Sequence, residues 1–516
     1  MANALKQVPL FVVMIAIAAL AMLVPAVHAW SVSDYAVGRA FLYSSLLFLF
    51  LSALLGLAMA GGAEGPAARG QLLSIIAILT LVPLVCAVPL NQAVRDTGLF
   101  NAWWEMVADM TTTGATLYTP DRLSPSLHLW RAMVGWMGGF FMLVMAIAVL
   151  APLRLGGFEI FGAREAGAFA RMGRRSGMGE APSYAPSEDS ATTAERLRHY
   201  TRVLLPAYAG MTGVLWILLM VAGDAPLIAA CHAMSTLSTS GISPVGGLQG
   251  AQSGIAGEML IFLFLIPALS RRLWPGGGEL RPTERLRDDP ELRLALALVL
   301  GVAALLFARH WIAAFDIQAP AEIGAVVRSV WGALFTALSF LTTSGFESTS
   351  WDDARAWSGL GTPGLVLTGL AITGGGIATT AGGVHLLRIY ALVRHSQREL
   401  DKLVHPASVG GGGPTARWLR REGAYVAWVF FILFSLTLAV VILALTLTGL
   451  GFEPAVIMSI AALSNTGPLA AVAADHPLAW QELSVAAKTI LAATMVLGRI
   501  ETLAIIALLN PEFWRN

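Results

Sequence analysis

The sequence predicts an all-α membrane protein: two N-terminal helices, then four helix–short helix–helix repeats set with pseudo-fourfold symmetry around one axis. Three observations predict it. Of 516 residues, 56% are hydrophobic and only 13% charged, with a mean hydropathy of +0.69, where a soluble chain carries about 25% charged residues. Apolar runs long enough to cross a bilayer alternate with apolar stretches that are too short to do so. And the same pattern of small hydroxyl residues and glycine closes each short stretch. The net charge of +1 gives no basic excess for nucleic acid. Two cysteines, Cys86 and Cys231, far apart and each in apolar surroundings, indicate neither a disulfide framework nor a zinc cluster.

In order along the chain, the first apolar run follows Lys6 and ends in "AVHA", which has the form of a signal-peptidase site. A second run follows at once, "AFLYSSLLFLFLSALLGLAMA", so residues 8–28 are read as a retained helix. Further long runs lie near 71–92, 127–151, 202–222, 255–270, 292–314, 361–393, 424–450 and 483–509, giving about ten spans. The short stretches are 102–110, 226–238, 325–341 and 454–464, the length of re-entrant segments.

Charge orients the chain. The segments 152–202, 271–293 and 388–421 are rich in arginine (Arg154, Arg164, Arg171 and Arg174 in the first, Arg271, Arg272 and Arg293 in the second, Arg388, Arg394 and Arg398 in the third). The positive-inside rule places all three in the cytoplasm. Loops after the short stretches are poor in basic residues and carry Glu347, Asp352, Asp353 and Asp475. Ten spans then leave both termini cytoplasmic. The predicted boundaries are 1–66 for the N-terminal pair, 67–153 for repeat 1, 154–198 a linker, 199–272 repeat 2, 273–290 a linker, 291–395 repeat 3, 396–421 a linker and 422–516 repeat 4.

The short stretches end in "MTTTGAT", "STLSTSGISPVGG", "SFLTTSGFESTSW" and "ALSNTGPLAAV". Aligned on glycine, they give Thr112-Thr113-Gly114, Thr239-Ser240-Gly241, Thr343-Ser344-Gly345 and Asn465-Thr466-Gly467. One such string reads equally well as a loop at the membrane surface. Four in the same slot, with a period of roughly 100–130 residues, are an internal repeat that sets the architecture. Irregular backbone at membrane depth survives only where protein buries it or it lines water. Four such loops on one axis present rings of carbonyl oxygens, which can replace the hydration shell of a potassium ion. Glycine reaches φ > 0 without steric cost, so neighbouring carbonyls can turn inward, and each short helix aims its partly negative C-terminus at the axis.

The run "TGGGIATTAGG", Thr373–Gly383, puts five glycines into a long apolar segment. At about 1 kcal/mol each in helix propensity, they predict a break in mid-membrane. Close helix packing through small residues is the other use of such a run. Arg499 lies inside the last span, where a lone arginine costs about 2.5–3.5 kcal/mol. It is expected to face the interior, either toward carbonyls freed by the broken helix or paired with Glu501.

At this point the chain resembles the Trk/Ktr/HKT superfamily of potassium transporters, and most closely their TrkH-type membrane subunits. The resemblance runs the whole length and rests on the four loops, on "GWMGGFFMLVMAIAVLAP", on "TGGGIATTAGGVHLLR" and on "MVLGRIETLAIIALLNPEFW". It departs at His385, where the family usually has lysine, and at "SNTGPLA", where an Asn-Leu-Gly-Pro pattern is common. The resemblance implies an ion pore with the twelve aligned loop residues as its potassium filter. It implies an intramembrane gate below that filter, drawn from Gly374, Gly375, Gly376, Thr379, Thr380, Gly382, Gly383 and Arg499. It implies potassium uptake across a bacterial inner membrane, potassium as the only ion and no cofactor in this chain, with a sodium-permeable or sodium- or proton-coupled transporter as the alternative. It implies a homodimer and a separate nucleotide-binding cytoplasmic subunit of the TrkA type, for which the arginine-rich linkers are the plausible docking surface. "GLGTPG" at 359–364 has the glycine spacing of a dinucleotide loop but lacks the strand and soluble βαβ unit it would need. No HExxH, GxSxG or P-loop motif occurs, so nothing points to an enzyme.

Overall fold

The computed structural model describes residues 9–59, 67–151, 193–275, 286–313, 323–358, 364–405, 423–474 and 476–500. The N-terminal pair comprises α1 (Leu10–Ala21) continued by α2 (Leu23–Ser31), and α3 (Tyr35–Met59). Repeat 1 is α4 (Ala67–Ala93), α5 (Gly98–Met110) and α6 (Pro125–Met145). Repeat 2 is α7 (Thr193–Val221), α8 (Pro226–Ser238) and α9 (Gly254–Leu265). Repeat 3 is α10 (Pro290–Ala313), α11 (Ile323–Leu341), α12 (Trp351–Ser358), α13 (Gly364–Thr373) and α14 (Leu386–Val404). Repeat 4 is α15 (Ala424–Leu447), α16 (Phe452–Leu463), α17 (Leu469–Val472) and α18 (Val485–Ile500).

Eight helices among the described residues are long and apolar enough to cross a membrane. The outer ones are apolar all round, as lipid demands. Phe50, Leu57, Val221, Trp428 and Leu447 all stand exposed. The short helices invert this pattern. α5, α8 and α16 bury almost every residue toward their C-termini, polar ones included. Each short helix packs against the second long helix of the preceding repeat: α8 on α6, α11 on α9, α16 on α13 and α5 on α18. That last contact closes the ring. The N-terminal pair lies outside it, packed on α4 and α6.

Three expectations need adjustment. The short stretch of repeat 3 is a 19-residue helix, α11, long enough by itself to span. Its buried part is the C-terminal one, from Ser329 to Leu341, which matches the shorter helices of the other repeats. The run 361–393 is not one span. α13 ends at Thr373, and α14 begins only at Leu386. And Arg388, counted above with the solvated linker, is fully buried, its guanidinium 3.7 Å from the centre of the Phe430 ring. A cation on an aromatic face tolerates burial that an exposed linker arginine would not need. Most of the linkers at 154–198, 273–290 and 396–421, the string 359–363, Glu501 and the chain beyond it lie outside the described residues.

Candidate ion pathway

The four short helices end alike. Thr112, Thr239, Thr343 and Asn465 sit in the left-handed region, with φ of 56°, 52°, 57° and 55°. In each case the next amide reaches back five residues: Thr113 to Ala108, Ser240 to Ser235, Ser344 to Ser339 and Thr466 to Ala461, at 2.8 to 3.0 Å. The left-handed residue itself donates three back, Thr112 to Asp109 for example, at 2.9 Å. This is the Schellman ending of a helix, repeated four times. It usually carries glycine; a β-branched threonine there costs about 1–2 kcal/mol, and surrounding contacts must hold it.

The glycine two residues on serves a second purpose. Gly114, Gly241 and Gly345 have φ of 68°, 66° and 77°. A Cβ on Gly114 would stand 1.8 Å from the Ser240 carbonyl oxygen, and one on Gly241 would stand 2.2 Å from that of Ser344. On Gly345 it would meet Pro468 at 2.9 Å, and on Gly467 the Ala115 amide at 2.4 Å. The loops therefore touch in the order 1, 2, 3, 4 and back to 1. Gly467 breaks the expected equivalence, because its φ is not positive. The following Pro468 disfavours helical backbone at the residue before it and biases that residue toward extended φ. The Gly467 N–H donates to the Thr113 carbonyl at 2.6 Å, and Asn465 Nδ2 donates to Thr113 Oγ1 at 3.0 Å.

Directly against these loops lies the segment between α13 and α14. Thr239 Oγ1 donates to the Thr380 carbonyl at 2.8 Å, and the Gly382 N–H donates to Thr343 Oγ1 at 2.8 Å. A Cβ on Gly382 would come 2.4 Å from the Ser464 carbonyl. The segment thus contacts the left-handed residues of repeats 2 and 3 and the residue before that of repeat 4. Its glycines are required by close approach: Gly374 and Gly383 have φ of 71° and 84° and face each other's backbone, while Gly375 and Gly376 face the Ala268 and Leu269 carbonyls. Thr379 Oγ1 donates to Gly376 and Ala268 carbonyls. Arg499, 5% exposed, shares a cavity of about 30 Å³ with Ala378, Thr379, Gly382 and His385. Ala146 and Leu150, from the π turn that ends α6, line it too. The expected meeting of Arg499 with the broken helix is therefore one of place, and the Glu501 pairing falls outside the described residues.

Sequence reasoning overlooked the buried carboxylates behind the loops. Arg131 on α6 lies 2.6 Å from Glu105 and 3.3 Å from Asp109, both on α5, with all three side chains essentially out of contact with solvent. Glu105 also accepts from Thr116 Oγ1 at 2.7 Å and the Leu117 N–H at 2.8 Å, which fixes the chain just past Gly114. Glu258 on α9 does the same for repeat 3, accepting from Trp331 Nε1 and Ser348 Oγ, both at 2.7 Å, and from Thr349. A signal was present, since ionisable residues inside apolar segments are functional candidates by default. His232 behaves as a packed polar group, bonded to Ser243 Oγ at 2.9 Å. Glu347 follows the repeat 3 loop, two residues past Gly345. Burial, reinforced by Asp352 and opposed by Arg355, pushes its carboxyl up to about 7.

Residues 294–514 match the TrkH family, described as cation transport proteins. The Trk system potassium uptake protein TrkH of Vibrio parahaemolyticus is 27% identical over 513 residues, 98% of each chain. Its Escherichia coli K12 counterpart is 27% identical over 502 residues, 96% of each, and the E. coli potassium uptake protein TrkG is 28% identical over 87% of this chain and 86% of its own. The crystal structure of the potassium transporter TrkH from V. parahaemolyticus superposes with a TM-score of 0.78 at 22% identity, covering all of both chains. A family-model match over residues 294–514, relatives aligned nearly end to end and a shared fold agree with the fourfold loops: the chain is similar in sequence and in fold to TrkH-type cation transport proteins.

Proposed function

We propose that this chain is the membrane subunit of a bacterial potassium uptake system, a transporter and not an enzyme. The observation that carries the reading is the closed ring of four Schellman-ended loops. Each loop takes its shape from a left-handed residue and a glycine, and each is backed by the C-terminus of a short helix. Such ends carry roughly half a negative charge, and carbonyl rings of this kind suit a dehydrated potassium ion. In this reading the twelve residues from Thr112 to Gly467 form the filter, and the segment Gly374–Gly383 with Arg499 is the gate beneath it. Its hydrogen bonds to Thr239 and Thr343 couple the two. The membrane potential, about 2.3 kcal/mol per charge per 100 mV, drives entry.

The names of the relatives, each a potassium uptake protein of a Trk system, support potassium as the ion. The rest of the reading, an inner-membrane location with both termini cytoplasmic, a homodimer, and a nucleotide-binding cytoplasmic partner that docks on the arginine-rich linkers, rests on the charge pattern and the sequence resemblance. The division into eight segments is part of this proposal. The second reading, a sodium-permeable or sodium- or proton-coupled transporter of the same build, is favoured by no contact in the pathway. Potassium-dependent growth of an uptake-deficient host decides between them. Rescue at low potassium by the parent chain supports the proposal; absence of rescue with the protein in the membrane opposes it.

A further inference from the structure

The glycine-rich segment is held from below by two pieces of chain that flank the linker between repeats 2 and 3. On one side the Ala268 carbonyl accepts from the Gly376 N–H at 2.9 Å and from Thr379 Oγ1 at 3.1 Å. On the other, Glu291 in the first turn of α10 accepts the Ile377 N–H at 2.9 Å. A first-turn glutamate is ordinary in a helix, where it faces the helix's own amides. This one is 7% exposed and bonded to another helix's broken end. The two sides are joined to each other. Buried Asp289 accepts Ser270 Oγ at 2.6 Å and the Glu291 N–H at 2.9 Å, and lies 3.7 Å from Arg272 Nε. The path from the segment therefore runs Ile377, Glu291, Asp289, Ser270, and reaches both ends of the linker.

We propose that Glu291 is a latch: its side chain holds the Ile377 amide, seats the segment under the filter loops, and lets movement of the linker release it. The inference rests on reading that segment as the gate. A buried amide needs an acceptor. One supplied by a side chain from another repeat can be withdrawn by a small shift of α10, whereas a main-chain acceptor in the same helix cannot. Withdrawal strands the Ile377 N–H in the seated state alone, so the released state gains. For one hydrogen bond of this kind the population shift is roughly tenfold.

The test is potassium flux into liposomes holding the full chain without any partner, for Glu291→Ala, Glu291→Asp and Glu291→Gln beside the parent. A fifth protein, shortened within Gly374–Gly382, reports on the gate itself. The latch predicts about a tenfold rise for Ala, a smaller rise for Asp, which withdraws the oxygens by one methylene, and a return toward parental flux for Gln, whose amide oxygen still accepts. Added to the shortened chain, Glu291→Ala should change nothing further. Parental flux from both Ala and Asp, with the shortened chain elevated, overturns the latch and leaves the gate standing. A flat result from the shortened chain removes the gate reading and the latch with it. If Gln rises as much as Ala while both lose thermal stability, Glu291 is only a structural anchor. Should the Ala protein not fold, Asp against Gln carries the same decision.

Discussion

Replacing Gly114 with serine perturbs the proposed filter loops where the tolerance is smallest. The added Cβ would sit 1.8 Å from the Ser240 carbonyl oxygen, well over an ångström inside ordinary contact, and the residue holds φ at 68°. Two costs follow. A non-glycine residue in the left-handed region costs about 1–2 kcal/mol, and overpacking against main chain costs about 1–3 kcal/mol. The loop of repeat 2 must retreat to relieve them, which moves the Ser240 carbonyl from its place in the ring. A loss of only 1.4 kcal/mol in preference for potassium over sodium is a factor of about ten. The assay is the reversal potential in reconstituted bilayers under mixed cations, with Gly213→Ala as control, since its Cβ meets nothing within 4 Å. The expected result is a potassium-to-sodium permeability ratio lowered about tenfold or more by Gly114→Ser. Severity should fall in the order Gly114, Gly241, Gly467, Gly345, because the last meets only the ring of Pro468. An unchanged ratio for all four would refute the filter assignment.

Other expectations follow from the same geometry. Arg131→Leu leaves Glu105 and Asp109 buried without their cation, a loss of about 3–5 kcal/mol, to be read as a lowered thermal midpoint in detergent; an unchanged midpoint would mean that the triad does not anchor α5 to α6. Glu347 is protonated below about pH 7 and negative above it, so flux at limiting potassium should rise from external pH 6 to 8, by no more than about fivefold, and Glu347→Gln should flatten the profile. Arg499→Ala should raise basal liposome flux, and Arg499→Lys should give an intermediate value because the charge stays while the planar fork is lost; unchanged flux with lowered stability would make the residue a structural anchor.

Much of this architecture is legible in the sequence because its determinants are local. The short stretches 102–110 and 226–238 fall within α5 and α8, and 454–464 overruns the end of α16 by one residue, since apolar composition and the following hydroxyl–glycine string mark both their length and their end. The break after Thr373 is equally local, five glycines in a row of apolar residues. What escaped is set by distant partners. Propensity assigns φ > 0 to glycine, yet the structure also gives it to Thr112, Thr239, Thr343 and Asn465. Three of these side chains are tied to other segments: Thr239 to Thr380, Thr343 to Gly382, Asn465 to Thr113 and Met495. Gly467 escaped for the opposite reason, since the proline after it overrides the freedom of glycine. Arg388 was grouped with its basic neighbours, although its partner Phe430 is in another repeat. Glu105, Asp109 and Glu258 stand in apolar runs and Glu291 among the charges that end a linker, and no local pattern says whom they meet.

The most direct measurement of the central claim compares potassium and sodium flux in liposomes containing only this chain, before and after shortening Gly374–Gly382. The account predicts a low, potassium-selective flux from the parent and a higher flux, still potassium-selective, from the shortened protein. Equal permeation of both ions through either protein, or no cation flux from a folded shortened chain, would contradict it.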